Sequence, residues 1–301
     1  MYSYKGLLDQ LERKWIGRSE LTSLVGMSSR TVAKIAKGEK ISDGVLRRIA
    51  ACLSCEPGDL CREISDDPLL RALRDGKEMR LSGGLYRELQ VQMTYNSNRI
   101  DGGCLDEEQT RLIFETNMLS SGNGIDVDDV LETVHHFRAV DHIIDNAESP
   151  LTEDFVKHIH FMLKQNTSAS SHEWFGVGEY KRYDNFADGS PTAAPRNVPA
   201  LMEELIGGYE AKKDVGLEDI AGFHAEFEKI HPFQAGNGTV GRLVMMKECL
   251  RHGVAPFFIG AEDRAAYFRG ISEWDADKSL LMSVCRISQK AFGKLAGENG
   301  A

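Results

Sequence analysis

Apolar residues recur at intervals of three and four along most of the chain beyond residue 85, and this spacing constrains the fold more than any other feature. It gathers apolar side chains on one face of successive helices. In "LYRELQVQMTYNSNRI" the residues Leu85, Leu89, Gln92, Met93 and Asn96 follow it, and Asp101-Gly102-Gly103 stops the helix. The segments "DEEQTRLIFETN", "VDDVLETVHHFRAVDHIIDNA", "TEDFVKHIHFMLKQN", "PALMEELIGGYEAK", "LEDIAGFHAEFEKI", "TVGRLVMMKECLRHG" and "RAAYFRGISEWDA" repeat the pattern. One stretch departs from it. In "WFGVGEYKRYDNFADGSP", aromatic and β-branched residues alternate between turn signals, which predicts a β-hairpin.

The first 64 residues have a different character. They carry 11 basic and 8 acidic side chains, against 25 and 38 in the remainder, so a mildly basic head precedes an acidic body. The net charge of −10 excludes non-specific nucleic-acid binding by the chain as a whole. The head reads as five short helices, with Ser19 expected to cap "ELTSLVG" and Gly26 to end it. Ser28 or Ser29 starts "RTVAKIAKG", Ser42 or Asp43 starts "GVLRRIAACL", and Pro57 stands at the start of the last helix. Two helices joined by a short turn containing Gly form a helix-turn-helix. "SDDPLLRALRDGKEMR", charged and broken by Pro and Gly, reads as a linker with a helical piece over residues 65–81. Cys52, Cys55 and Cys61 have the spacing of a metal half-site but no fourth ligand nearby, and reduced thiols fit better. No apolar run reaches membrane-spanning length and the N-terminus lacks an apolar signal core, so the expected location is the cytoplasm, without membrane partners.

The chemistry gathers in "HPFQAGNGTVGR", residues 231–242, between two predicted helices. Pro232 breaks the first helix, and Gly236 and Gly238 let backbone N–H groups converge on an anion. Thr239 is expected to cap the next helix, whose N-terminal dipole adds to the anion site. Arg242 lies one turn in, and His231 at the loop's mouth is a candidate general base. The residues alone therefore predict a phosphate site with a base beside it.

Two resemblances sharpen these readings. Residues 4–64 resemble the Cro/lambda-repressor-like helix-turn-helix family, which implies that Ser29, Arg30, Thr31 and Lys34 face DNA. One such module binds DNA weakly, so a regulator of this kind is expected to be a homodimer. The loop resembles the signature of the Fic (Fido-domain) family, H-P-F-x-[D/E]-G-N-G-R-x-x-R, matching at His231, Pro232, Phe233, Gly236, Asn237, Gly238 and Arg242. Similarity extends over about residues 82–294. Beyond the five-helix module at 1–64 and the linker at 65–81, it implies a helical N-terminal Fic region with an inhibitory helix at 82–149 and an all-helical Fic core at 150–294 with a β-hairpin flap around 176–189, so the expected protein is mainly α. The implied reaction moves AMP from ATP to a Ser, Thr or Tyr hydroxyl of a protein target. His231 would be catalytic, Gly236, Asn237, Gly238 and Arg242 would bind the nucleotide, and Tyr267 would line the adenine pocket.

The chain departs from the signature twice. Ala235 replaces the acidic residue that holds magnesium, and Thr239 replaces the first Arg. A Mg²⁺ or Mn²⁺ ion would then be held only by ATP and water, and weak transfer is expected. "NSNRIDG" resembles the family's inhibitory motif, with Ser97 and Gly102 matching and Asp101 in place of Glu, so Asp101 is expected to pair with Arg242. The rival expectation is a nucleotide-binding regulator that acts through DNA without turning ATP over.

Overall fold

A computed structural model of the chain describes residues 2–63, 67–79, 83–119, 124–187 and 189–298. The expected domain edges at 64–65 and 81–82 fall outside these residues. The chain divides into two compact units, residues 1–67 and 68–301. No helix among the described residues is long and apolar enough to cross a membrane.

The first unit contains α1 (Lys5–Lys14), α2 (Arg18–Val25), α3 (Ser29–Ala36), α4 (Asp43–Leu53) and α5 (Pro57–Leu60). A short antiparallel pairing of β1 (Tyr2–Ser3) with β2 (Arg62–Glu63) joins its two ends. Leu7, Leu11, Leu21, Ile49, Leu53 and Leu60 form its core. The turn from α2 to α3 is made by Gly26, left-handed at φ 66°, and by Ser28, whose Oγ accepts the Thr31 amide at 3.2 Å. Ser19 does not cap α2. The helix starts two residues earlier than that cap implies, at Arg18, and Glu20 accepts the Gly17 amide at 3.4 Å, so the cap comes from a carboxylate inside the first turn.

The second unit is an all-helical bundle. It begins with α6 (Pro68–Met79), inside the stretch expected as linker. Leu70 and Leu73 of α6 are fully buried, and Arg74 forms a paired contact with Glu148, at 2.8 and 2.5 Å. Burial and ion pairing outweigh the polar composition that suggested a linker. Next come α7 (Leu85–Ile100), α8 (Glu107–Thr116), α9 (Val127–Asp145) and α10 (Glu153–Lys164). β3 (Phe186–Ala187) pairs antiparallel with β4 (Ser190–Pro191). The chain ends in α11 (Val198–Glu210), α12 (Leu217–Ile230), α13 (Asn237–His252), α14 (Arg264–Ser272) and α15 (Ser279–Glu298). The last helix was not picked out as a segment of its own, but it falls largely in the stretch to residue 294 expected to be helical.

The hairpin is shorter and later than expected. Residues 176–185 hold turns rather than a strand, because the Lys181 amide donates to the Pro232 carbonyl at 2.8 Å instead of to a partner strand. The Lys181 ammonium is buried against Asn185, Thr192 and the Ile230 carbonyl, which ties this segment to the loop after α12. Asp188, within the expected flap, lies outside the described residues. At the centre of the bundle runs α13, packed on α7, α9, α10 and α12, with thirteen of its sixteen residues buried.

Candidate functional site: the loop between α12 and α13

α12 ends at His231, which adopts the left-handed conformation at φ 52° while its amide bonds the Phe227 carbonyl. A non-glycine residue in this region stores strain and needs surrounding structure to hold it. That structure comes from below the loop. Phe233 is fully buried, its amide donates to Asn237 Oδ1 and its carbonyl accepts from Asn237 Nδ2, both at 2.8 Å. The Asn237 side chain is thus spent on closing the loop. Only its backbone N–H is left to face a ligand.

α13 starts at Asn237, with left-handed Gly236 before it. Thr239 is therefore inside the first turn and does not cap the helix. Its hydroxyl donates to Asp101 Oδ2 at 2.5 Å. The same carboxylate oxygen accepts from Arg242 Nη2 at 2.7 Å. Arg242 also donates through Nε to Ser97 Oγ and through Nη2 to the Ser97 carbonyl, each at 3.0 Å. Burial pulls the Arg242 pKa down, but the Asp101 carboxylate and the Tyr267 hydroxyl together outweigh it and keep the guanidinium charged. Gly102 supports the turn that presents Asp101, with φ 98°. The structure thus brings Ser97, Asp101, Thr239 and Arg242 together at the head of α13.

His231 faces the same region. Its Nδ1–H donates to the Glu228 carbonyl at 3.3 Å, which leaves Nε2 as the acceptor. Burial lowers its pKa to about 4, so the ring is neutral near pH 7. Glu228, one turn back on α12, is buried, and burial raises its pKa to about 7 against the pull of Arg242. Among the described residues its Oε1 has no hydrogen-bond partner, nor has Nδ1 of buried His224.

Tyr267, expected at the adenine pocket, is instead fully buried. Its hydroxyl bonds His224 Nε2 and stands beside Arg242. An aromatic on α14 at helical spacing has joined the core behind the site. Two residues that the sequence did not assign to the site do reach the loop. His160 on α10 stacks on Phe233 with ring centroids 4.0 Å apart and an interplanar angle of 4°, and its Nε2–H donates to the Ala235 carbonyl at 3.2 Å. Lys164, one turn further along α10, lies over Gly236. In the first unit, Ser29 and Arg30 are exposed and Thr31 and Lys34 half-buried on α3, which has no buried residue.

Comparison with known proteins agrees with this geometry. Residues 150–249 match the Fic/DOC family, and residues 7–66 match the Cro/C1-type HTH DNA-binding domain. The chain carries a Fic domain behind a helix-turn-helix domain. A protein adenylyltransferase Fic of Culex quinquefasciatus is 27% identical over 195 residues, 62% of this chain and 38% of the relative. One of Nematostella vectensis is 27% identical over 191 residues, 62% of this chain and 44% of the relative. The chain therefore spans less than half the length of either. Among solved structures, a Fic domain containing signaling protein from Bacteroides thetaiotaomicron shares the fold, with a TM-score of 0.61 at 24% identity over 76% of this chain and 94% of that one.

The metal position that the loop's resemblance implies falls at Ala235. Ala235 presents a methyl group where a carboxylate would be needed. Neighbouring Gln234 accepts the Tyr183 amide at 3.4 Å. Among the described residues no group of three or more His, Cys, Asp or Glu side chains is placed to hold an ion.

Proposed function

We propose that the Fic domain transfers AMP from ATP to a Ser, Thr or Tyr hydroxyl of a protein, slowly, and under restraint by Asp101. The observation that carries this reading is the loop itself: a neutral His231 with a free Nε2 at one end, glycine amides and the α13 N-terminus in the middle, and Arg242 at the other end. His231 Nε2 takes the proton of the target hydroxyl as its oxygen bonds the α-phosphorus, and the bond to pyrophosphate breaks. Amides of residues 236–238 bear the charge on the phosphate oxygens, and Arg242 bears that of the leaving group. In the resting site Asp101 occupies Arg242 (2.7 Å), so the terminal phosphates must displace it. Relatives called protein adenylyltransferase Fic support the reaction class.

The test uses ATP labelled on the α-phosphate and the full chain, with label read on protein. Asp101→Gly should raise labelling, and His231→Ala should lower it by about 100-fold or more. Ala235→Asp should raise it in Mg²⁺ or Mn²⁺. No label from any of these proteins would refute the transferase. A second reading, a regulator acting through DNA, draws on the exposed face of α3. Its mark would be sequence-specific DNA binding that changes with ATP, lost in Arg30→Ala.

A further inference from the structure

A triphosphate in the loop requires positive charge against its α- and β-phosphates, and Ala235 cannot recruit a metal ion to supply it. Such charge is present on α10. A Cβ built on Gly236 would lie 2.7 Å from Lys164 Cε and 3.7 Å from its Nζ, so the lysine chain lies flat across the glycine that opens the cradle. His160, one turn earlier, fixes this face of α10 against the loop through its stack on Phe233. The Lys164 side chain is only 13% exposed, and water screens a sheltered charge poorly. At rest its Nζ donates to Glu132 Oε1 at 2.5 Å.

The other side of the cradle has a matching arrangement. Arg242 is buried, and among the described residues its Nη1 has no hydrogen-bond partner. A Cβ on Gly238 would lie 2.8 Å from that Nη1. A cation thus presses on each of the two glycines. Each cation is held by a carboxylate, Arg242 by Asp101 and Lys164 by Glu132. Both carboxylates border one cavity of about 160 Å³, together with Asn98 and Thr133.

We propose that Lys164 is the resident cation of this cradle, standing in for a carboxylate-held metal, and that Glu132 is a second restraint on the site beside Asp101. On ATP binding the ammonium leaves Glu132 for the α- and β-phosphate oxygens. This rests on the reading of the loop as a nucleotide site. A lysine carries one charge and three rotatable donors, without the charge or fixed geometry of Mg²⁺. ATP binding should therefore persist without divalent ions.

The experiment is calorimetric titration of the full chain with ATP, in EDTA and in Mg²⁺. In EDTA, Lys164→Met should weaken binding by about 10- to 100-fold, the scale of a lost charge-assisted hydrogen bond. Lys164→Arg should bind within a few-fold of wild type. Glu132→Gln, which removes the restraint and keeps the cation, should bind more tightly; it carries the test if Lys164→Met melts early. Wild type that binds ATP while both Lys164→Met and Glu132→Gln match it would overturn this inference alone, leaving the lysine a structural ion-pair partner. Wild type that binds no ATP in either condition would overturn the nucleotide-site reading, and this inference with it.

Discussion

The helix proposed to read DNA, α3, has no buried residue, whereas α13, which carries the phosphate loop, buries thirteen of sixteen. The first presents side chains to a large partner and needs them free. The second holds an arginine and backbone amides in fixed relation to the strained histidine at the end of α12, and needs neighbours on every side to do so. Surface recognition and site chemistry thus place opposite demands on burial, and the two units of this chain meet one demand each.

The largest test of that contrast is pH. All nine histidines lie between residues 135 and 252, none in the first unit. Burial holds His136, His160 and His224 near 3 and His231 near 4, against an ordinary 6.5. The unfolded chain takes up these four protons as pH falls below 6.5, while the folded one does not. Their contribution is therefore complete above about 6.5 and is lost as pH falls towards about 3. Glu228, raised from 4.5 to about 7, works in the opposite sense, because the folded carboxyl keeps a proton that the unfolded one releases. From these five groups the uptake on unfolding is about three protons, or up to about 4 kcal/mol per pH unit. Urea titrations from pH 7 to 4.5 should show the Fic unit losing stability steeply and the first unit changing little. Equal slopes would break the comparison.

A smaller test makes one substitution at two helical glycines. A Cβ on Gly241 would lie 2.5 Å from His224 Nδ1 and 2.6 Å from its Cε1. Gly241→Ala should cost about 1–3 kcal/mol by overpacking. Gly44, in the first turn of α4, has open space around it. Gly44→Ala should stabilise its unit by about 0.5 kcal/mol through the unfolded chain. Thermal melting of the two variants reads the opposite signs directly. Between these effects falls Ser28→Ala, which removes the cap of α3 and should cost about 1 kcal/mol.

What the sequence revealed follows the same divide between near and far. The loop was legible because its parts lie within twelve residues: Pro232 ends a helix, Gly236 and Gly238 open a cradle, and Arg242 is one turn on. The helices were legible through their period. Contacts across long separations were not. His160 meets Ala235 across 75 positions, and nothing in "FVKHIHFMLK" marks His160 and Lys164 as neighbours of the loop rather than of solvent. The pairing of Asp101 with Arg242 could be anticipated only through a family motif. Thr239 was read by its local role, as a cap, when its hydroxyl is taken by Asp101. The flap was misplaced because the alternating pattern around Lys181 serves an anchor to Pro232 rather than a strand.

The burial of α13 has a consequence for how the molecule breathes. An amide exchanges its hydrogen with water only when its segment opens, and an element packed on all sides opens mainly when its unit unfolds. The amides of α13 beyond its first turn should therefore be among the slowest to exchange in the chain, and those of α3 among the fast. The floor under the proposed phosphate cradle would then keep its shape through the fluctuations that loosen the rest of the protein, and a nucleotide bound there as proposed would meet the same surface at any moment.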